Sequence, residues 1–319
     1  MPFYPKTQTI LYKNRGVDYM NRIVSSGMVD GLVIDRVIRD QEFTMPTKHF
    51  HSEYEIYYLL EGSRYYFIEN ETYLIKKGSL VLIKPHQIHK TGSSGNSYHD
   101  RILLELNDAP FTSFFSSLSH LSIKEFFAEH AGVLELDETA QNYVESLLFD
   151  ILEETHKKVL NYEAMVTLKL SELLLYTIRF KNEKSKLPKA ATANTAKHNK
   201  VHEVAHYIAE NYSKANSLDD LSRRFYVSKC YLSRIFKEVT GFTLNEYINI
   251  HRIKQAQELL VNSNYNITEI AETLGYDSIT YFERVFKKYA ETSPLKYRKK
   301  FLLINQKTRE RKNEKGLSN

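Results

Sequence analysis

The stretch YLSRIFK at Tyr231–Lys237 returns as YFERVFK at Tyr281–Lys287, and Tyr247 returns at the same offset as Tyr297. An internal repeat of this kind marks two copies of one supersecondary unit. Each copy follows a short helical pattern, LDDLSRRF from Leu218 and ITEIAETLG from Ile267. Each then restarts at a capping residue, Ser228 or Asp277/Ser278. Helix, turn, helix is therefore expected twice. In the first restarted helix Leu232, Ile235, Phe236 and Val239 share one face, leaving Cys230, Ser233, Arg234 and Lys237 on the other. In the second, Phe282, Val285, Phe286 and Tyr289 pack, while Ile279, Thr280, Glu283, Arg284 and Lys287 face outward. Arginine can bridge guanine O6 and N7, glutamate accepts from cytosine N4, and isoleucine or threonine touches a thymine methyl. The expected DNA-binding set is Ser228, Cys230, Tyr231, Ser233, Arg234 and Lys237, with Ser278, Ile279, Thr280, Glu283, Arg284 and Lys287. Lys237 and Lys287 are assigned to phosphates. Between the copies, Asn245–Asn262 reads as one helix. At 1.5 Å per residue it is about 27 Å long, enough to set two reading helices in major-groove turns that recur every ~34 Å.

Charge follows the same division. The chain has 319 residues and a net charge of +5. Residues 1–195 carry 22 Lys+Arg against 25 Asp+Glu, whereas residues 196–319 carry 22 against 14. A net of +8 on the second half suits a polyanionic partner. The break falls in KNEKSKLPKAATANTAKHN, which has the composition of an exposed linker. With 42% hydrophobic and 26% charged residues and a mean hydropathy of −0.45, bulk disorder is excluded. No apolar run reaches the ~20 residues of a membrane span, and the first ten residues lack a signal-peptide pattern. Cys230 is the sole cysteine. Internal disulfides and cysteine-only metal clusters are therefore excluded, and a cytoplasmic location is expected.

From Gly31 to about Leu106 the text alternates in short runs, LVIDRVI, YEIYYLL, YYFIEN, YLIKKG and LVLIKP, the pattern of antiparallel strands in a sandwich or barrel. His49 and His51 stand two apart, with Glu55 four further on and His89 later. The spacing H-x-H-x3-E-x6-G from His49 to Gly62, followed by Gly78, Pro85 and His89, resembles the two motifs of the cupin barrel. The second motif departs from the metal-binding pattern. His89 lies four residues after Pro85 instead of five, and Gln87 stands where glycine is expected. The four residues are therefore expected to form an effector-binding pocket, with no metal or other cofactor; as metal ligands they are the weaker alternative. After Asp137, two helical patterns follow. Val144, Leu147, Leu148, Ile151 and Leu152 make an apolar stripe that either packs on the barrel or forms a dimer interface, the latter being favoured.

The segment from about Leu218 to Arg298 resembles the double helix-turn-helix domain of AraC/XylS-type transcription regulators. The resemblance rests on S-x-x-YLSRIFKEVTG, YINIHRIKQAQELL, ITEIAETLGYDSITYFERVFKKY and SPLKYR. Where that family ends the second recognition helix with glycine, this chain has Glu291, so a different helix end is expected. The resemblance implies a two-domain protein: an N-terminal cupin-like β-barrel with following helices, then an all-α double helix-turn-helix. The expected parts are an effector-sensing barrel at 1–136, a helical dimerisation segment at 137–180, a linker at 181–199, the DNA-binding domain at 200–300 and a basic tail at 301–319. Double-stranded DNA, a small-molecule effector of sugar type, RNA polymerase and a second copy of the chain are the implied partners; no membrane is. A cupin metalloenzyme with a DNA-localising basic domain is the alternative.

Overall fold

The computed structural model describes residues 9–14, 17–40, 51–95, 98–183, 192–193, 195–214 and 217–302. It divides into two compact units, Met1–His198 and Asn199–Asn319.

The first unit holds strands β1 (Thr9–Asn14), β2 (Val17–Val29), β3 (Leu32–Arg39), β4 (Tyr54–Ile68), β5 (Glu71–Lys76), β6 (Ser79–Ile83), β7 (His89–Ser93), β8 (His99–Leu106) and β9 (Gly132–Glu135). Helices α1 (Asp108–Ser119) and α2 (Ile123–His130) precede β9; α3 (Glu138–Lys157) and α4 (Tyr162–Glu183) follow it. The strands run in the order β1-β2-β3-β8-β4-β6-β9, all antiparallel, with β5 and β7 also paired to β4.

β4 organises this barrel. Its first part pairs with β6 and β8, and its last part with β5 and β7. A register shift between Leu59 and Glu61 lies between the two parts. An added residue in one strand reverses which side chains face inward. Before the shift Tyr54, Ile56, Tyr58 and Leu60 join the helices in the main core, while Tyr57 and Leu59 face an inner cluster; beyond it Tyr66 and Ile68 face inward. Both faces are buried, which explains why YEIYYLL, Glu55 apart, is apolar on both faces instead of alternating. β1 and β2 extend the sheet before the region where strands were expected, and α1 and α2 were not expected.

α3 begins at an Asp137 cap that accepts from Ala140 N. Its stripe Val144, Leu147, Leu148, Ile151 and Leu152 lies in the main core with Leu170, Leu173 and Leu174 of α4. That stripe packs inside the unit and offers nothing to a second copy, which corrects the favoured reading. One open surface on α1, α3 and α4 is lined by Leu118, Tyr143, Leu168, Leu175, Tyr176 and Arg179.

α4 continues to Glu183 and α5 (Ala196–Asn211) starts before residue 200, so helix occupies both ends of the expected linker. Within the linker, Ala193 N donates to Thr72 O and Thr192 bridges Tyr73 of β5. Residues 184–191 and 194 are outside the described residues, as are 303–319 of the expected basic tail.

The second unit is helical. α6 (Leu218–Arg224) and α7 (Lys229–Thr240) form the first helix-turn-helix, α8 (Leu244–Asn262) follows, and α9 (Ile267–Thr273) and α10 (Ile279–Ala290) form the second. Each start has its side-chain cap: Ser217, Ser228, Thr243, Asn266 and Ser278 accept from the backbone N–H three residues on. Each such cap is worth about 1 kcal/mol. The repeat shows in the packing too. Phe236 meets Tyr247 edge-on at 5.2 Å, and Phe286 meets Tyr297 in the same way at 5.5 Å. Arg252 of α8 donates to the carbonyl of Tyr212, and Asn249 accepts from the Tyr276 hydroxyl. These bonds tie α8 to the segment before α6 and to the second turn.

Candidate functional site

On α7, Leu232, Ile235, Phe236 and Val239 are buried, and Cys230, Tyr231, Ser233, Arg234 and Lys237 are exposed. On α10, Phe282, Val285 and Phe286 are buried, while Ile279, Thr280, Glu283, Arg284 and Lys287 are exposed. Ser228 and Ser278 cap the two helices at the first exposed turn. All twelve residues of the expected set thus lie on the outward faces of two matching helices. Each face also carries a ring that sequence reasoning missed as a partner. Arg234 lies 5.7 Å from the Tyr231 ring and Arg284 lies 5.1 Å from the Tyr281 ring. An aromatic ring three residues before each arginine holds its guanidinium by cation–π attraction. A tyrosine at i with arginine at i+3 in both repeats was the available signal.

The barrel carries the other site. β4 supplies Glu55, β7 begins at His89, and His51 lies just before β4. His51 Nε2 is 3.3 Å and His89 Nε2 is 3.2 Å from the same Glu55 oxygen, Oε2. The Tyr66 hydroxyl donates to Oε1 at 2.7 Å, and His89 Nδ1 lies 2.8 Å from the Gln87 carbonyl. Gln87, at the expected glycine position, thus orients His89 through its backbone. His51, Glu55 and His89 therefore come together; His49 lies outside the described residues. Tyr66 was missed, because only the register shift in β4 turns it inward.

Glu55 and His89 are buried and His51 is partly exposed. Burial alone would raise the Glu55 carboxyl; the charge of His89 and hydrogen bonds from His51, His89 and Tyr66 outweigh it, holding Glu55 well below the usual range. Burial would lower His51, but Glu55 wins and raises it. Tyr66 is pushed well up, first by burial and then by Glu55, so it stays a donor. The result is an ionised carboxylate with directional partners beside an apolar wall.

The same donors fit a divalent transition metal by geometry. Their ligand atoms lie within 4.8 Å of one another. Bonds of about 2.0–2.1 Å in a tetrahedron put neighbouring ligands ~3.3 Å apart. Hydrogen bonds alone account for the same spacing.

A barrel with a buried polar cluster in one unit and a doubled helix-turn-helix in the other are the parts of a DNA-binding regulator with a ligand-binding domain. Two family models match: an AraC-like ligand binding domain over residues 35–174 and a helix-turn-helix domain over 221–300. The chain belongs to the AraC family of transcription regulators. It is 28% identical over 255 residues to the uncharacterized HTH-type transcriptional regulator YfiF of Bacillus subtilis, covering 77% of this chain and 76% of that one. It is 26% identical to the melibiose operon regulatory protein of Escherichia coli K12, covering 80% and 84%. Among solved structures, the C-terminal domain of AraT, a response regulator from Geobacillus stearothermophilus, shares 33% identity; the match covers 33% of this chain and 88% of that one, with a TM-score of 0.32. The matched relatives are transcription regulators, so the metalloenzyme alternative is set aside. Among the described residues no helix is long and apolar enough to cross a membrane.

Proposed function

We propose that this regulator senses a small polar metabolite of sugar type, bound in the barrel by His49, His51, Glu55 and His89. The observation that carries the reading is the Glu55 cluster, a buried carboxylate with two imidazoles and a phenol beside the apolar inner cluster. Such groups match the hydroxyls of a polar ligand. In this reading Arg234, Arg284 and Glu283 read bases, while Lys237 and Lys287 hold phosphates. The protein works in the cytoplasm as a dimer and engages RNA polymerase. Because the α3 stripe is in the core, the dimer contact is assigned to the open surface around Tyr143, Leu168 and Tyr176. Footprinting on chromosomal DNA, with and without candidate sugars, tests the reading. His51→Ala should abolish the ligand response and leave ligand-free DNA binding unchanged. A response that survives His51→Ala would remove these residues from the effector site.

A further inference from the structure

The tyrosines beside the two reading arginines differ in what holds them. In the second copy α8 packs against α10, and Asn249 of α8 stands between two phenols. The Tyr276 hydroxyl donates to Asn249 Oδ1 at 2.9 Å, and Asn249 Nδ2 donates to the Tyr281 hydroxyl at 3.4 Å, at the long end of hydrogen bonding. Tyr276 is 5% exposed and Tyr281 is 41% exposed. Burial pushes the Tyr276 phenol up, so it stays a donor at neutral pH and gives its proton to the amide carbonyl. That leaves the amide N–H for Tyr281. A phenol has one hydrogen to give. Because the Tyr281 oxygen accepts from Asn249, its own O–H is turned away from α8. The chain therefore has one direction and ends in a donor at the surface.

The first copy cannot build this chain. Tyr276 N donates to Ala271 O as Val227 N donates to Ser222 O, so Val227 holds the equivalent place, and valine has no hydroxyl. Tyr231, the counterpart of Tyr281, lies beside its arginine, but among the described residues no hydrogen bond reaches its hydroxyl. Position on the helix matters as well. Each residue turns α10 by about 100°. Thr280, Glu283, Arg284 and Lys287 make the centre of the exposed face, and Tyr281 stands at its edge, against α8. A helix in the major groove meets base edges with its centre and the sugar–phosphate rails with its flanks.

We propose that the Tyr281 hydroxyl donates a hydrogen bond to a DNA phosphate, and that Asn249, on α8 and outside the reading helix, is the positioning residue that aims it. The expected set includes Tyr231 but neither Tyr281 nor Asn249. The same side chain serves the arginine beside it. The Tyr281 ring lies 5.1 Å from Arg284, so fixing the hydroxyl also fixes the ring on which that guanidinium rests. The second copy thus carries a pre-aimed backbone contact that the first lacks. This rests on reading the outward face of α10 as a DNA contact.

The test is binding of the full-length protein to two duplexes, the footprinted site and a random sequence, at fixed ionic strength. Tyr281→Phe removes one hydroxyl and keeps the ring beside Arg284. It should weaken both complexes alike, by ~10-fold, because a phosphate is present whatever the sequence. No charge is lost, so the salt dependence should keep its slope. Asn249→Ala should give most of the same loss, and the double variant should bind no worse than Tyr281→Phe alone, which a merely structural role for Asn249 would not produce. Asn249→Asp should bind more weakly than Asn249→Ala, since a carboxylate takes the Tyr281 proton and repels the phosphate. Tyr231→Phe, whose hydroxyl nothing aims, should bind like the wild type. Wild-type affinity in Tyr281→Phe overturns the proposal, and so does additive loss in the double variant. Loss confined to the footprinted site would overturn the phosphate in favour of a base. Arg284→Ala separates this inference from the reading beneath it. If Arg284→Ala and Tyr281→Phe both bind like the wild type, the α10 face is not a DNA contact; if Arg284→Ala loses affinity and Tyr281→Phe does not, the face stands and the Tyr281 contact falls.

Discussion

In the first helix-turn-helix the turn carries Tyr226 at φ 53° and the reading helix ends on Gly241 at φ 84°; in the second the turn carries Gly275 at φ 78° and the helix ends on Glu291 at φ 56°. Both copies need a left-handed residue at both places, and each fills one place with glycine and the other without. The surroundings explain the turn. A Cβ on Gly275 would lie 2.1 Å from the backbone oxygen of Ser213, whereas Tyr226 is 94% exposed. Glycine is required where another backbone approaches; elsewhere a side chain bears the strain at about 1–2 kcal/mol. The Glu291 end also bears on the expectation that its helix would finish differently: the backbone takes the same left-handed conformation without the glycine.

The sharpest way to break this comparison is Gly275→Ala. The added methyl meets the Ser213 carbonyl, which cannot move freely because the Arg252 guanidinium holds that segment through Tyr212 O and Ser213 O. A loss of about 2–4 kcal/mol is expected. Tyr226→Ala at the matching turn should change stability by less than about 0.5 kcal/mol. Urea unfolding of both variants decides the matter, and equal losses would show that the turns are under the same constraint.

The two reading faces can be set against each other in the same way. Arg234→Ala should cost ~1–3 kcal/mol on the specific site and relax preference at one base pair, and Arg284→Ala should do the same in the second half of the site. Lys237→Ala should weaken all sequences alike. Binding to specific and random duplexes, measured side by side, separates these outcomes. Equal losses on both duplexes for Arg234→Ala would reduce it to a phosphate contact.

These faces are legible in the sequence because each helix buries one stripe and exposes the other. Leu232, Ile235 and Phe236 set the helical phase, which places Arg234. The barrel interior is harder. His51, Glu55 and His89 are found through a motif. The buried Arg64 and Arg101 are not, since β4 and β8 carry apolar residues on both faces and an arginine there reads as a solvated charge. Tyr66 needs the register shift at Leu59/Glu61, which no residue pattern announces. The helix α1 lies in FTSFFSSLS, poor in helix formers. The start of α2 does carry a signal, the capping box Ser122/Glu125.

His251 differs from its counterpart in the repeat in one way. It packs on Tyr247 at 4.7 Å, as Phe301 packs on Tyr297 at 4.6 Å, but only the histidine titrates. Burial, and then Lys254, pushes His251 down to about 3. An unfolded histidine has a pKa near 6.5. Between those values the unfolded chain binds the extra proton, so this group's destabilising effect grows as pH falls from about 6.5 towards 3. At pH 5.5 the loss relative to neutral pH is on the order of 1 kcal/mol. His251→Phe, which copies the second repeat, should remove that part of the pH dependence from urea unfolding curves. An unchanged slope in the variant would assign the acid sensitivity to other groups.

Smaller effects are expected at Tyr226 and Glu291, the positions of the two helix-turn-helix copies where a side chain occupies a left-handed site. Glu291→Gly makes the end of α10 like that of α7, where the Gly241 N–H donates to the Lys237 carbonyl. Relief of about 1–2 kcal/mol of strain is opposed by the ~0.5–1 kcal/mol that glycine loses in unfolded-state freedom, leaving a net gain of roughly 0.5–1 kcal/mol. Removing a carboxylate from beside the carbonyl end of a helix acts in the same direction, because that end carries partial negative charge. Tyr226→Gly relieves the turn without this second contribution, so its gain should be the smaller of the two. If Glu291→Gly and Tyr226→Gly gain equally, backbone strain alone distinguishes the copies; if Glu291→Gly destabilises, the side chain supports the helix end by a contact that outweighs its strain.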